Sequence, residues 1–354
     1  MVTKNNFEII IKKRPKQYYY TFFNRRTGFF MRAEERGHLE PFWAKDGPEL
    51  LDISITNWCD KECSICYRNS NKNGKHITLE EYDYIMRQAE KIGVLQIALG
   101  GGNPNQHPDF IKILKITRQK YGIVPSYTTN GRSLTREILK ASAKYCGAVA
   151  VSAYSPYTEM QTALQKLKEY NIKRNIHFVL SNKTIEIAIE WLQNPPIFLE
   201  NVNAIIFLNY KSVGKNKNND LLLKNANIEK FFNLISKDIF SFKIGFDNCC
   251  VSGLVTYLNL NPLYYEACES GRFSAFISEE LKMYPCSFMI NTSVGVDLRI
   301  HKMIDVWRES KIFNQIRKNL KKNSCNDKCV YFKNCLGGCP LFKEINLCNK
   351  FHHD

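Results

Sequence analysis

Between residues 51 and 208, short apolar runs alternate with helix-forming stretches, and no other feature of this 354-residue chain restricts its fold as strongly. Leu51-Asp52-Ile53-Ser54-Ile55 reads as a strand. Residues 79–92 read as a helix capped by Thr78, with Glu80 and Glu81 in the first turn, where carboxylates oppose the positive end of the helix dipole. Strands follow at 95–99, 125–129, 148–152, 175–180 and 204–208, separated by helices over 110–120, 135–145, 160–170 and 184–193. Repeated strand–helix units need a crossover after each strand, and so build a parallel sheet covered by helices. About six units are visible against the eight of a closed barrel. The expected fold class is α/β, a partial (β/α)6 TIM-like barrel.

The flanks read differently. Residues 1–50 carry β-branched and aromatic runs (Ile9-Ile10-Ile11, Tyr18-Tyr19-Tyr20, Phe22-Phe23) around the turn chemistry of Asn24-Arg25-Arg26-Thr27-Gly28, which predicts a β-hairpin-like extension. A Lys-, Asn- and Gly-rich stretch over 209–227 marks a boundary, and beyond a helix near 228–237 the regularity fades while cysteines accumulate. Three regions are expected: 1–50, a barrel core over 51–225, and a cysteine-rich C-terminal region over 226–354.

No run approaches the roughly 18–20 apolar residues of a membrane helix, and residues 1–16 lack the apolar core of a secretory signal. A cytoplasmic location without membrane association is the expectation. Lys and Arg number 50 against 34 Asp and Glu, a formal charge of +16 that favours anionic partners without choosing among nucleic acid, headgroups and acidic peptides.

Thirteen cysteines, an odd count, cannot all pair internally, and in a reducing compartment a cysteine-rich chain binds metal more often than it builds disulfides. Cys59, Cys63 and Cys66 form a C-x3-C-x2-C loop directly after the first barrel strand, at the end where α/β proteins place their chemistry. Three thiolates can hold three irons of a 4Fe–4S cluster and leave the fourth iron open, whereas such clusters normally take four Cys. A zinc site completed by a residue such as His76 is the alternative reading of the same spacing.

In this segment the chain resembles the radical S-adenosylmethionine (SAM) superfamily, whose signature is this spacing in this loop. The family usually has an aromatic before the last Cys; here Ile65 stands there, and Tyr67, just after it, joins the implied cofactor contacts. Leu99-Gly100-Gly101-Gly102-Asn103-Pro104 follows the second strand, where the family carries a Gly-Gly-Glu motif for the amino group of SAM. The resemblance implies contacts from Gly101, Gly102 and Asn103, with the Asn103 amide replacing a carboxylate and weakening an electrostatic contact. It implies further contacts from Thr129, Asn130 and Ser152 at the ends of the next strands. His107 is expected to support its loop rather than to act as an acid or base.

Five cysteines crowd the C-terminal run, Cys325-x3-Cys329-x5-Cys335-x3-Cys339 and then Cys348, after the isolated Cys268 and Cys286. Seven exceed a single tetrahedral zinc site, and zinc ribbons or a Lys-flanked nucleic-acid module remain the alternatives. Residues 245–350 resemble the SPASM extension of radical SAM peptide-modifying enzymes, through Met283-Tyr284-Pro285-Cys286 and Cys335-Leu336-Gly337-Gly338-Cys339-Pro340. That resemblance implies two auxiliary 4Fe–4S clusters, three in all. Cys268, Cys286 and Cys339 would serve one, completed by an eighth Cys, preferably Cys249 over its neighbour Cys250. Cys325, Cys329, Cys335 and Cys348 would serve the other. Cys250 is then a candidate catalytic thiol able to deliver a hydrogen atom, and Cys146 a core cysteine.

The implied activity is a peptide maturase. A 5′-deoxyadenosyl radical from SAM abstracts a hydrogen from a ribosomally made precursor peptide, and an oxidative thioether or carbon–carbon crosslink follows. Peptide epimerisation or modification of a protein side chain is the alternative within the family; an inactive, metal-stabilised binding protein is the alternative outside it. The implied partners are a precursor peptide with an acidic leader and an electron donor such as a flavodoxin or ferredoxin. With no interleaved stacking motif, nucleic acid is disfavoured.

Overall fold

The computed structural model describes residues 8–215, 220–237, 239–322, 325 and 329–348. Three strands open the chain, β1 (Ile9–Arg14), β2 (Tyr19–Asn24) and β3 (Phe30–Glu34), in an antiparallel sheet of that order. The expected hairpin thus gains a strand. Its β2–β3 turn closes because Asn24 Oδ1 accepts from the N–H groups of Arg26 and Thr27, both at 2.9 Å, the local bonding that suits Asn to turns.

The parallel strands follow as β4 (Leu50–Thr56), β5 (Gln96–Gly101), β6 (Val124–Thr129), β7 (Val149–Ser152), β8 (Arg174–Leu180), β9 (Ala204–Asn209) and β10 (Lys243–Phe246). Between them run α1 (Leu79–Lys91), α2 (Phe110–Lys115), α3 (Arg136–Tyr145), α4 (Thr158–Glu169), α5 (Ile185–Gln193) and α6 (Ala226–Ile235). The expected cap is present as a reciprocal box. Glu81 N donates to Thr78 Oγ1 at 3.2 Å, and Thr78 N to Glu81 Oε2 at 3.0 Å. The helix expected over 110–120 is α-helical only to Lys115 and then widens into a π-turn over Ile116–Lys120. There the Thr117 hydroxyl donates back to Ile113 O, a bond that loosens the helical ladder.

The sheet does not stop at residue 225. After α7 (Val251–Tyr257), β11 (Ser274–Ile277) returns to pair parallel with β4 on its free side, and β12 (Lys282–Tyr284) and β13 (Val296–Asp297) continue antiparallel. The order is β10-β9-β8-β7-β6-β5-β4-β11-β12-β13. Helices α8 (Met303–Glu309), α9 (Lys311–Lys321) and α10 (Phe332–Cys335) complete the chain. Both β10 and β11 escaped the sequence reading because each has only four residues and no sustained apolar run. Among the described residues no helix is long and apolar enough to cross a membrane.

The two faces of the sheet differ. Leu51, Ile97, Leu99, Val149, Val151, Ile176, Phe178, Ile205 and Phe207 are buried in the main core cluster with the helices. The opposite face carries a row of directly paired positions, Phe276, Asp52, Ala98 and Ser126, and further along Ser152 and His177. Small and polar residues cannot fill that face as branched apolar layers fill a closed barrel. A cavity remains.

The N-terminal sheet is anchored by charge as well as packing. Arg32, buried, bonds Glu49 at 2.8 Å, Glu266 at 2.8 Å and Glu269 at 2.9 Å, and its guanidinium lies 3.7 Å from the Phe273 ring centroid. The first residues of the fold are thereby tied to the segment that presents Cys268.

Candidate active site

The cavity, about 420 Å³, lies at the C-terminal ends of the parallel strands and falls within the range of roughly 300–1,000 Å³ usual for small-molecule sites. All three loop cysteines, Cys59, Cys63 and Cys66, line it. The loop that carries them is fixed from both sides. Trp58 N donates to Thr56 Oγ1 at 2.9 Å, Cys59 N to Asn71 O at 3.0 Å and Lys215 N to Cys66 O at 3.0 Å. Gly214, at φ +84°, lets the chain after β9 lie on this loop, since a Cβ there would stand 2.3 Å from Cys66 O. Beneath it Arg68 pairs with Glu279 at 2.5 Å, both side chains buried.

Gly101 and Gly102 line the cavity, and packing explains why both are glycine: a Cβ on either would stand 2.0 Å from a carbonyl oxygen, of Thr56 and Trp58 respectively. Gly100, which the sequence reading did not single out, is the complementary case. A Cβ there would meet nothing within 4 Å, so its missing side chain keeps the cavity floor clear for a ligand.

Asn103 is fully buried, does not line the cavity, and its Oδ1 accepts from Thr129 Oγ1 at 3.2 Å and Asn130 N at 3.1 Å. The amide braces the turn after β6. Thr129, Asn130, Ser152 and Tyr67 do line the cavity. Asn130 Nδ2 points to Cys59 Sγ at 3.6 Å, and the Tyr67 ring stacks obliquely on Phe288 at 4.7 Å. His107 supports its loop as expected: Nδ1 accepts from Asp109 N at 3.0 Å, which leaves Nε2 to donate to Ile77 O at 2.8 Å.

Several lining residues were not read from the sequence: Asp52, Tyr154, His177, Asn209, Lys211 and Asp247. The available signal was the polar alternation of β8 and the position of Asn209-Tyr210-Lys211 directly after β9. Burial pushes the Asp52 carboxyl up to about 6 and the His177 imidazole down to about 4. Lys211 Nζ donates to Asn209 O at 2.7 Å and Asp247 Oδ2 at 2.9 Å and lies 4.6 Å from the Phe288 ring centroid. Burial alone would lower its pKa, but Asp247 and Cys249 outweigh burial and raise it. Asn209 Oδ1 is buried without a hydrogen-bond partner, an acceptor open to a ligand N–H.

The remaining cysteines fall into two groups. The Cys249 and Cys339 thiols lie close together, and Cys268 and Cys286 lie within electrostatic reach of Cys249. Cys335 is in the same relation to Cys329 and Cys348, and Cys329 N donates to Cys325 O at 3.1 Å. No three His, Cys, Asp or Glu side chains among the described residues are drawn together as tightly as one metal ion requires. As donor sets the groups are thiol-rich, which suits iron–sulfur clusters.

Cys250 is the more deeply buried member of the adjacent pair. It is 1% exposed, its thiol faces Phe207 O at 3.9 Å, and it does not line the cavity. The thiol also lies close to the Asp247 carboxylate, which does line the cavity. Cys146 packs against the main core, and burial pushes its thiol up to about 12.

Comparison with known proteins agrees with this geometry. Residues 53–193 match the family model described as Radical SAM superfamily. A probable GTP 3′,8-cyclase of Thermococcus kodakarensis is 34% identical over 96 residues, 27% of this chain and 31% of that protein, so the match spans under a third of that relative. The mycofactocin maturase MftC of Mycolicibacterium smegmatis is 23% identical over 324 residues, covering 84% of this chain and 79% of that one. In fold, the chain is similar to Streptococcus suis SuiB bound to S-adenosylmethionine, with a TM-score of 0.72, 18% identity and 95% of each chain covered. SuiB bound to its precursor peptide SuiA gives 0.74, 16% and 94% of each chain. The partial barrel, the three-cysteine loop at its mouth and the family match agree: residues 53–193 form a domain of the radical SAM type.

Proposed function

We propose that the chain is a radical SAM peptide maturase with a SPASM-type C-terminal region, and that it introduces an oxidative crosslink, thioether or carbon–carbon, into a ribosomally made precursor peptide. The observation that carries this reading is one cavity lined both by the three loop cysteines and by Lys211 and Asp247, the pair that lies beside Cys249. Likeness along most of the chain to MftC, and in fold to SuiB, one structure of which holds a precursor peptide, supports it.

Cys59, Cys63 and Cys66 would hold the SAM-binding 4Fe–4S cluster; Cys249, Cys268, Cys286 and Cys339 one auxiliary cluster; Cys325, Cys329, Cys335 and Cys348 the other. When bound, the first cluster supplies the electron that cleaves SAM to a hydrogen-abstracting radical, and the auxiliary clusters offer a path for the second electron of an oxidation. The chain's own residues bind and enclose. Gly100 leaves room on the floor, Thr129, Asn130 and Ser152 present polar atoms to the cofactor, and Tyr67 with Phe288 walls off water. The buried bracing role of Asn103 removes the reason to read its departure from Gly-Gly-Glu as a lost active site. The basic surface suits an acidic leader, and a flavodoxin or ferredoxin suits the electron supply.

The test is tandem mass spectrometry of a peptide encoded beside the gene and co-expressed with the enzyme. A loss of two hydrogens localised to a bridged pair of residues is expected. Unchanged mass with an inverted α-carbon would replace this reading with epimerisation, and an unmodified peptide together with no SAM cleavage would remove it.

A further inference from the structure

We propose that Lys211 is a potential-setting residue for the auxiliary cluster assigned above to Cys249, Cys268, Cys286 and Cys339, with Asp247 opposing it. This rests on that assignment. Lys211 follows β9, and its side chain is 2% exposed, a degree of burial that lysine reaches only when paired. Its ammonium is fixed by Asn209 O at 2.7 Å, Asp247 Oδ2 at 2.9 Å and the Phe288 ring at 4.6 Å. Asp247 stands two residues before Cys249, Phe288 two residues after Cys286, and Asn209 Nδ2 donates to Cys249 O at 3.4 Å. Asp247 is held in turn by Asn209 N at 3.2 Å, and its side chain remains 21% exposed.

Stability does not account for such a pair, because desolvating two charges offsets most of their attraction. A cluster ligated by four thiolates is anionic and becomes more so on reduction. A fixed positive charge against one ligand, in a region of low effective dielectric, favours the added electron, and a negative charge disfavours it. The ammonium sits between the segments that carry Cys249 and Cys286, while Asp247 takes up part of its charge. The two side chains therefore push the potential in opposite directions.

The test uses the full chain bearing C59A, C63A and C66A, reconstituted anaerobically, so that the auxiliary clusters alone are titrated by potentiometric electron paramagnetic resonance. In this background Lys211→Met is expected to move one cluster's midpoint downward and Asp247→Asn upward. Lys211→Arg should hold it, and the cluster at Cys325, Cys329, Cys335 and Cys348 serves as an unmoved internal reference. Absence of a shift in both charge variants, or shifts of the same sign, overturns the proposal, because a packing role has no reason to reverse sign with charge. Should Lys211→Met fail to load iron, Asp247→Asn and Lys211→Arg still decide it. Iron content is read first: if Cys268→Ala removes no iron, the cluster assignment itself has failed, an outcome separate from an unmoved potential and one that removes the proposal with it.

Discussion

The two cysteine regions of this protein are built by opposite means. Cys59, Cys63 and Cys66 sit within eight residues on one loop, open to a cavity and held by backbone bonds to the segments on either side. Cys249, Cys268, Cys286 and Cys339 come from four separate stretches of chain, brought together when β11 crosses back to pair with β4 and the C-terminal segment packs beneath. A local loop can expose its metal to a ligand because its own short connections keep the thiols in place. A gathered set depends on the whole fold and is enclosed by it, which suits electron transfer more than substrate binding. The adjacent pair also differs in its partners: Cys249 faces Cys339, while Cys250 faces Phe207 O and Asp247.

Four measurements would break or sharpen this contrast, the largest effect first. Replacing Cys59, Cys63 and Cys66 together by Ala should abolish SAM cleavage and lower iron from about twelve to about eight per chain, with the fold retained. Unchanged iron would show that the loop is not a cluster site. Cys268→Ala or Cys286→Ala should cost about four irons as well, but with a fall in melting temperature that the loop triple variant does not show, since these thiols bind distant segments together. Cys250→Ala is the control; it should leave iron unchanged and destabilise by on the order of 1 kcal/mol, and loss of iron there would mean that the ligand of the pair has been chosen wrongly.

The third measurement concerns the cavity. Gly100→Leu projects a side chain into open space, so SAM affinity should fall at least about tenfold, roughly 1.4 kcal/mol or more, while melting temperature and loop iron stay near wild type. Gly101→Ala, by contrast, drives a Cβ against Thr56 O and should lower stability before it affects binding. Equal behaviour of the two would contradict the division of labour between them.

The smallest effect is a pH dependence. His177 is held near 4 in the folded chain against about 6.5 when free, so the unfolded state takes up a proton that the folded state refuses. Its contribution to stability is present above pH 6.5 and is lost as pH falls from there towards 4. Thermal unfolding of His177→Asn across that range should show a shallower fall than wild type; a parallel decline would place the titrating group elsewhere.

Much of the barrel was legible because period and punctuation are local properties. The Thr78 cap, the strands from Leu50–Thr56 to Ala204–Asn209 and the three-thiol loop each lie within a few residues of the signal that announces them. What escaped were features whose signal lies far away in sequence. β10 and β11 are four-residue runs that become strands only because the free edges of β9 and β4 are waiting for them. Asn103 could be placed by motif after the second strand, but which way its amide turned was set by donors on the Thr129–Asn130 turn, from a neighbouring crossover.

By itself, then, the sequence determined the alternation that forces a parallel sheet, the chemistry of a cysteine-rich chain, and the loop in which three thiols stand together, all consequences of spacing along the backbone. Tertiary structure decided which face of the sheet stayed hollow, and that a lysine after β9 would lose its water to lie between a carboxylate and an aromatic ring. Those outcomes turn on packing between segments many residues apart, where burial and the need to pair every desolvated polar group leave few arrangements open.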